Sequence, residues 1–233
     1  MSALIVGSFA PDLEYLMKLS PRSEISHTIL GLFIFCIPMG LIALWIFHQI
    51  WKRPILALIS RDHVQLPGQF TFRPLKRLAI LSTAVFIGAL THLVWDSFTH
   101  QYGWVIEQMP AFSTTIFQTR WGEVRFYNIL QHGSTALGLT VLAVIAVRHR
   151  KWIKRVSPSA WGLVVLACII SAASGIGFSQ FKVGYISDLH AVKRLVGISI
   201  LTSTVMFIVT VTLLSLMWHV REKASAAGGK TIR

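Results

Sequence analysis

A chain of 233 residues that is 54% hydrophobic, only 13% charged and of mean hydropathy +0.62 is too apolar for an ordinary soluble domain, which carries about twice that charge. The formal charge of +13 would suit a nucleic-acid binder, but no aromatic-basic reading motif accompanies it and the basic residues lie in short segments beside apolar blocks, where they act as topology signals and contacts to anionic lipid. Nucleic acid is thereby excluded as a partner, and the expectation is an all-α integral membrane helical bundle: one transmembrane helical domain over residues 1–220, surrounded by membrane lipids, with its oligomeric state open.

In chain order, residues 3–10 are apolar but too short to span, and predict a helix fragment leading into "APDLEY". The opening "MSALIVGSFAPDLEY" lacks the basic start of an ordinary signal peptide. Five spanning helices are predicted at roughly 28–48, 78–98, 129–147, 160–180 and 195–218, each near the ~20 residues a bilayer needs. Pro38 and Gly40 predict a kink in the first. "SAASGIG" at 171–177 predicts close helix packing in the fourth, because small side chains let backbones approach. Between the second and third spans, Tyr102, Trp104, Phe112, Phe117, Trp121, Phe126 and Tyr127 suit a membrane interface and a segment that roofs a site. Residues 221–233, ending "GGKTIR", read as a disordered cytoplasmic tail. Cys36 and Cys168 lie inside apolar runs without metal-motif spacing, and read as small packing residues.

Charge orients the bundle. Lys52, Arg53, Arg61, Arg73, Lys76, Arg77, Arg148, Arg150, Lys151, Lys154, Arg155, Arg221, Lys223, Lys230 and Arg233 fall on one side, fifteen of the 22 basic residues. The excess of Lys and Arg marks the cytoplasmic side. This places the C-terminus inside and the N-terminus and the 99–128 and 181–194 segments outside. Most acids, and His27, His92, His100, His132 and His190, then fall on the outer side; His48, His63, His149 and His219 read as solvated or snorkelling residues at the inner one.

The chemistry concentrates in "THLVWDSFTH" at 91–100. His92, Asp96 and His100 recur every four residues and form one polar stripe on a helix. Ionisable groups are costly in hydrocarbon, so they face a partner, a cavity or an ion. His92 and Asp96 can converge on one ion, whereas His100, about 12 Å from His92 along a regular helix, cannot share it. His27 opens the first span in "ISHTILG", His132 lies inside the outer end of the third in "LQHGST", and Asp12 and Glu14 lie in "APDLEY". Three spans and the N-terminal segment thus present His or Asp at one level. Imidazole with carboxylate suits a divalent metal, zinc first among Zn²⁺, Mn²⁺ and Fe²⁺. The competing reading is a hydrogen-bonded network that packs helices. The candidate metal ligands are Asp12, His27, His92, Asp96 and His132, and the candidate catalytic residues Glu14 and His100, either as general base. Glu24, Glu107, Glu123 and Asp188 read as solvated loop charges, and His190 as a loop histidine.

"GSFAPDLEYL", "SHTILGLFIFCIPMGLIALWIFH", "THLVWDSFTH" and "LQHGST" resemble an uncharacterised bacterial membrane family, number 4184 of the domains of unknown function, over most of the chain up to about residue 147. The resemblance implies a multi-spanning inner-membrane protein and no established activity. More distantly, inner-membrane metal-dependent hydrolases carry a Pro-Asp-x-Asp/Glu segment, a Thr/Ser-His-Ser/Thr segment opening a span, and a Ser/Thr-His-x-x-x-Asp helix. Pro11-Asp12-Leu13-Glu14, Ser26-His27-Thr28 and Thr91-His92-Leu93-Val94-Trp95-Asp96 match these and imply metal-ligand roles for Asp12, His27, His92 and Asp96. Two departures stand. A second His that often precedes the Thr-His-Ser unit is replaced by Arg22-Ser23-Glu24, and the closer family usually carries a further His ahead of the stretch at which this chain starts. The reading is metal-assisted hydrolysis of a lipid or envelope-linked ester or phosphoester. Its alternative is a non-enzymatic transport or assembly protein that uses the same cluster as an ion station or packing network.

Overall fold

The computed structural model describes residues 1–59, 70–119, 122–148, 158–184 and 189–228. His63, Trp121, His149, Asp188 and the side chain of His190 lie outside the described residues.

The chain forms α1 (Ser2–Ser8), α2 (Leu13–Lys18), α3 (Ile29–Leu58), α4 (Leu75–Thr99), α5 (Trp104–Gln108), a 3-10 turn (Pro110–Ser113), the strands β1 (Thr115–Thr119) and β2 (Gly122–Arg125), then α6 (Phe126–Arg148), α7 (Pro158–Val183) and α8 (Leu189–Gly228). Five helices are long and apolar enough to cross a membrane: α3, α4 running on into α5, α6, α7 and α8. The integral membrane bundle expected from composition is the observed architecture. The strands form one small antiparallel hairpin between the second and third spans, where the sequence reading had only an irregular interfacial segment. Its base is fixed by ring contacts from Phe98 to Phe112 and from Phe112 to Phe126, at 5.9 and 5.6 Å between centroids. Tyr102 and Trp104 project outward, as amphipathic rings at an interface do.

In the first span, where a kink was predicted, the helix has two π-helical stretches, Leu32–Cys36 just before Pro38 and Phe47–Trp51 further on. Proline lacks the N–H that a regular ladder would use, and the π turn ahead of it accommodates that loss. The small residues of α7 do pack closely. The Thr202 hydroxyl of α8 donates to the Gly175 carbonyl at 2.9 Å, and Ser179 and Ser199 share a hydrogen bond of 2.6 Å. The last helix runs on through Gly228, so the first part of the segment expected as a disordered tail is helical, and residues 229–233 lie outside the described residues.

One crossing positions the site. The short helix α1 lies against α4 where Gly7 meets Gly88. A Cβ at Gly7 would collide with the Val85 backbone, and one at Gly88 with the Leu4 and Ser8 backbone. Backbone atoms cannot swing aside as side chains do, so glycine is required on both sides of this contact. Two sealed apolar clusters flank it: Ala3, Val6, Leu44 and Val85 on one side, and Ala10, Leu32, Cys36 and Ala89 on the other. The residues just past each glycine, Ser8 on α1 and His92 one turn further along α4, are thereby brought face to face.

Candidate metal centre

Three elements bring four side chains together at this end of the bundle. Asp12 caps α2 immediately after the buried Pro11. His27 sits in the turn before α3, between Ser26 and Thr28. Ser26 is fully buried, and the Thr28 hydroxyl caps α3 by accepting from the Gly31 amide at 2.9 Å. His92 and Asp96 project from the same face of α4, one turn apart.

The donor atoms of Asp12, His27 and His92 all lie within 4.8 Å of one another. Asp12 Oδ1 is 3.5 Å from His92 Nε2 and 3.8 Å from His27 Nε2. Asp96 Oδ2 adds a fourth donor, 3.2 Å from His92 Nε2 and 3.5 Å from His27 Nε2. Ligands about 2.0–2.2 Å from one tetrahedral ion sit about 3.3–3.6 Å from each other, so these separations suit a first-row divalent cation.

The tautomers sharpen the point. His92 Nδ1 lies 2.7 Å from the Ser8 carbonyl oxygen, which can only accept, so Nδ1 carries the hydrogen. That carbonyl belongs to the last turn of α1, where helix carbonyls lack an intrahelical partner. In the neutral ring the opposite nitrogen, Nε2, is then a lone pair. It is buried and makes no hydrogen bond among the described residues, although two carboxylate oxygens lie within 3.5 Å of it. A lone pair facing two carboxylates is repulsive unless a cation or a proton sits between them. His27 also has an outer partner: its Nδ1 is 3.0 Å from the Ser26 hydroxyl, which can donate or accept, and its Nε2 points to the centre. Both imidazoles therefore have an outer partner fixing the ring and an inner nitrogen free to ligate, the usual dress of a metal-binding histidine.

Burial raises the Asp12 carboxyl above its ordinary value, against the opposing pull of His92 and His27. Its side chain is the most exposed of the four at 45%, against 22% for Asp96, 20% for His27 and 16% for His92, so the centre opens on the Asp12 side.

The other candidates are placed elsewhere. His100 ends α4 in an extended conformation, and its Nδ1 reaches back to Asp96 Oδ1 at 3.4 Å. Its Nε2 lies 3.3 Å from Gln131 on α6. His100 thus holds the outward oxygen of Asp96 while the inward oxygen faces the centre. His132 is exposed on α6 and is not brought into the converging group. Glu14, expected as a general base, faces away from the centre. It is 2% exposed and accepts from the backbone amides of Glu24 at 3.0 Å, Ile25 at 3.2 Å and Ser26 at 2.7 Å. Lys18 adds an ion pair at 2.8 Å. Burial pushes this carboxyl up, but Lys18 and the amides pull harder and hold it well below the ordinary carboxylate range. A carboxylate so engaged serves as a clasp that fixes the turn carrying His27 against α2, and the base role expected for it gives way to that structural one. Glu24, read as solvated, also meets Lys18, at 3.1 Å.

The sequence reading missed two residues. Ser8 contributes a carbonyl, which no side-chain pattern could reveal. Tyr15 stacks beside His27 at 5.1 Å between ring centroids, with its hydroxyl 3.4 Å from His27 Nε2. Its place three residues after Asp12 on a short helix was a signal that went unused.

The chain belongs to the family described as Domain of unknown function (DUF4184), whose sequence profile matches residues 1–219. No curated protein and no solved structure matches the chain significantly.

Proposed function

We propose that Asp12, His27, His92 and Asp96 bind one divalent cation, zinc first, and that the chain hydrolyses a lipid or envelope-linked ester or phosphoester at the outer face of a bacterial inner membrane. The observation that carries this reading is His92 Nε2, buried, without a hydrogen-bond partner among the described residues and placed between two carboxylates. A divalent ion there would supply Lewis acidity, lowering the pKa of water and polarising a scissile oxygen. The chain's own residues do the rest. Ser8 and Ser26 fix the two rings, and Asp96 is oriented from outside by His100. His100, exposed and 3.4 Å from the outward oxygen of Asp96, is the general base of this proposal. The opening beside Asp12 lies at the end of the bundle, where an interfacial substrate would arrive.

A transport reading would require a polar path to the other end of the bundle. Between the centre and the polar contacts of His48 with Ser2 stand Leu32, Cys36, Leu44, Val85 and Ala89, all apolar and essentially sealed. The test is turnover of a panel of p-nitrophenyl esters and phosphoesters by the purified protein. Hydrolysis that a chelator removes, that zinc restores and that His92→Ala lacks is the expected result. A metal-loaded protein inert toward every class would overturn the hydrolase reading and leave the ion-binding one.

A further inference from the structure

We propose that Tyr15 is a further residue of this centre, donating its hydroxyl hydrogen to an anionic oxygen of whatever ligand occupies the open side beside Asp12. The inference rests on the metal reading above and assigns the site a preference for oxyanions of the phosphate class.

Tyr15 stands on α2, held by the same clasp that fixes Asp12. Its ring lies against His27 with a tilt of 31°, which sets the direction of the phenol. Among the described residues the hydroxyl has two hydrogen-bond neighbours, His27 Nε2 at 3.4 Å and the Ser23 hydroxyl, to which it donates at 3.5 Å. Both distances are at the long limit of hydrogen bonding, so neither holds the proton firmly. The first of these acceptors is the lone pair that turns toward Asp96 and Asp12 in the centre. Once that nitrogen ligates a cation it has no lone pair left for Tyr15. Ser23 can satisfy the phenol oxygen by donating to it, which leaves the phenol O–H free to point at a ligand.

Asp12 and Asp96 carry the negative charge that a divalent cation balances, and Tyr15 sets a neutral donor beside them, 3.4 Å from His27 Nε2. An anionic ligand needs a donor that does not itself compete for the metal. A half-buried phenol provides one, because an ordinary phenol, with a pKa of about 10, keeps its hydrogen at neutral pH. A preorganised donor beside a cation is the arrangement that stabilises developing negative charge on an ester or phosphoester oxygen.

The experiment uses the full chain in detergent, loaded with Co²⁺ as a spectroscopic substitute for zinc, and titrated with inorganic phosphate. Wild type should bind Co²⁺ and show a phosphate-dependent change in its visible spectrum. Tyr15→Phe keeps the ring and removes only the hydroxyl. It should hold Co²⁺ within about twofold of wild type and bind phosphate about tenfold more weakly, the loss of one hydrogen bond to a charged group. Gly138→Ala on α6, where an added methyl meets nothing within 4 Å, should leave phosphate affinity unchanged. If Tyr15→Phe loses Co²⁺ and phosphate in equal measure, the hydroxyl merely orients His27 and the inference is overturned. Unchanged phosphate affinity in a Co²⁺-loaded Tyr15→Phe also overturns it. A wild type that binds no Co²⁺ overturns the metal reading itself, a result distinct from either of these.

Discussion

His92 and His100 share a helix face and differ in what each ring nitrogen meets. His92 lies between the Ser8 carbonyl and two carboxylates with its Nε2 buried, whereas His100 is more than half exposed and meets the outward oxygen of Asp96 and Gln131. Removing the first strands a carbonyl and a carboxylate where water is scarce, at about 1–3 kcal/mol for each unmet group. His92→Ala should therefore lower the thermal midpoint in detergent, and His100→Ala should leave it nearly unchanged. Glu14 makes a second residue-scale forecast. Glu14→Gln keeps shape and volume but turns an N–H₂ toward amides that need an acceptor. It should cost roughly 2–3 kcal/mol of stability, and differential scanning of the purified variant measures it. A neutral outcome would mean that the clasp is not what fixes the His27 turn. The stripe itself was legible from the four-residue spacing in "THLVWDSFTH", because helical geometry converts spacing directly into facing. The role of Glu14 was not. Its partners are backbone amides ten to twelve residues away, and no residue type marks those.

At the scale of elements, the crossing of α1 over α4 decides whether the site exists. Gly88 admits the α1 backbone, and the Ser8 carbonyl reaches His92 only because it does. Gly88→Ala should push α1 away, cost about 1–3 kcal/mol through overpacking against an unyielding backbone, and reduce metal content although no ligand is altered. The control is Gly138→Ala on α6, where an added methyl meets nothing within 4 Å, and which should be silent in both assays. The spans were readable because length and hydropathy are sufficient to define them. The hairpin between the second and third spans was not. Its short strands are exposed along most of their length, so they lack the alternation that betrays a half-buried strand.

For the whole molecule, the proposed orientation puts the two termini on opposite sides of a membrane, the outcome of five crossings by the five helices long and apolar enough to make them. The excess of basic residues in three segments forecasts which side is which. An alkaline phosphatase fusion within 99–128 should be active in the periplasm, and one at the C-terminus should not; the reverse pattern would invert the orientation. That orientation also sets the direction from which a substrate reaches Asp12. The central claim is that the four converging side chains hold a metal ion, and elemental analysis of the purified protein tests it most directly. The account predicts about one divalent ion per chain in the wild type and in His100→Ala, and almost none in His92→Ala or Asp96→Ala. Absence of metal from the wild type after zinc loading and desalting, or equal retention in all four proteins, would contradict it and leave the cluster as a network that only packs helices.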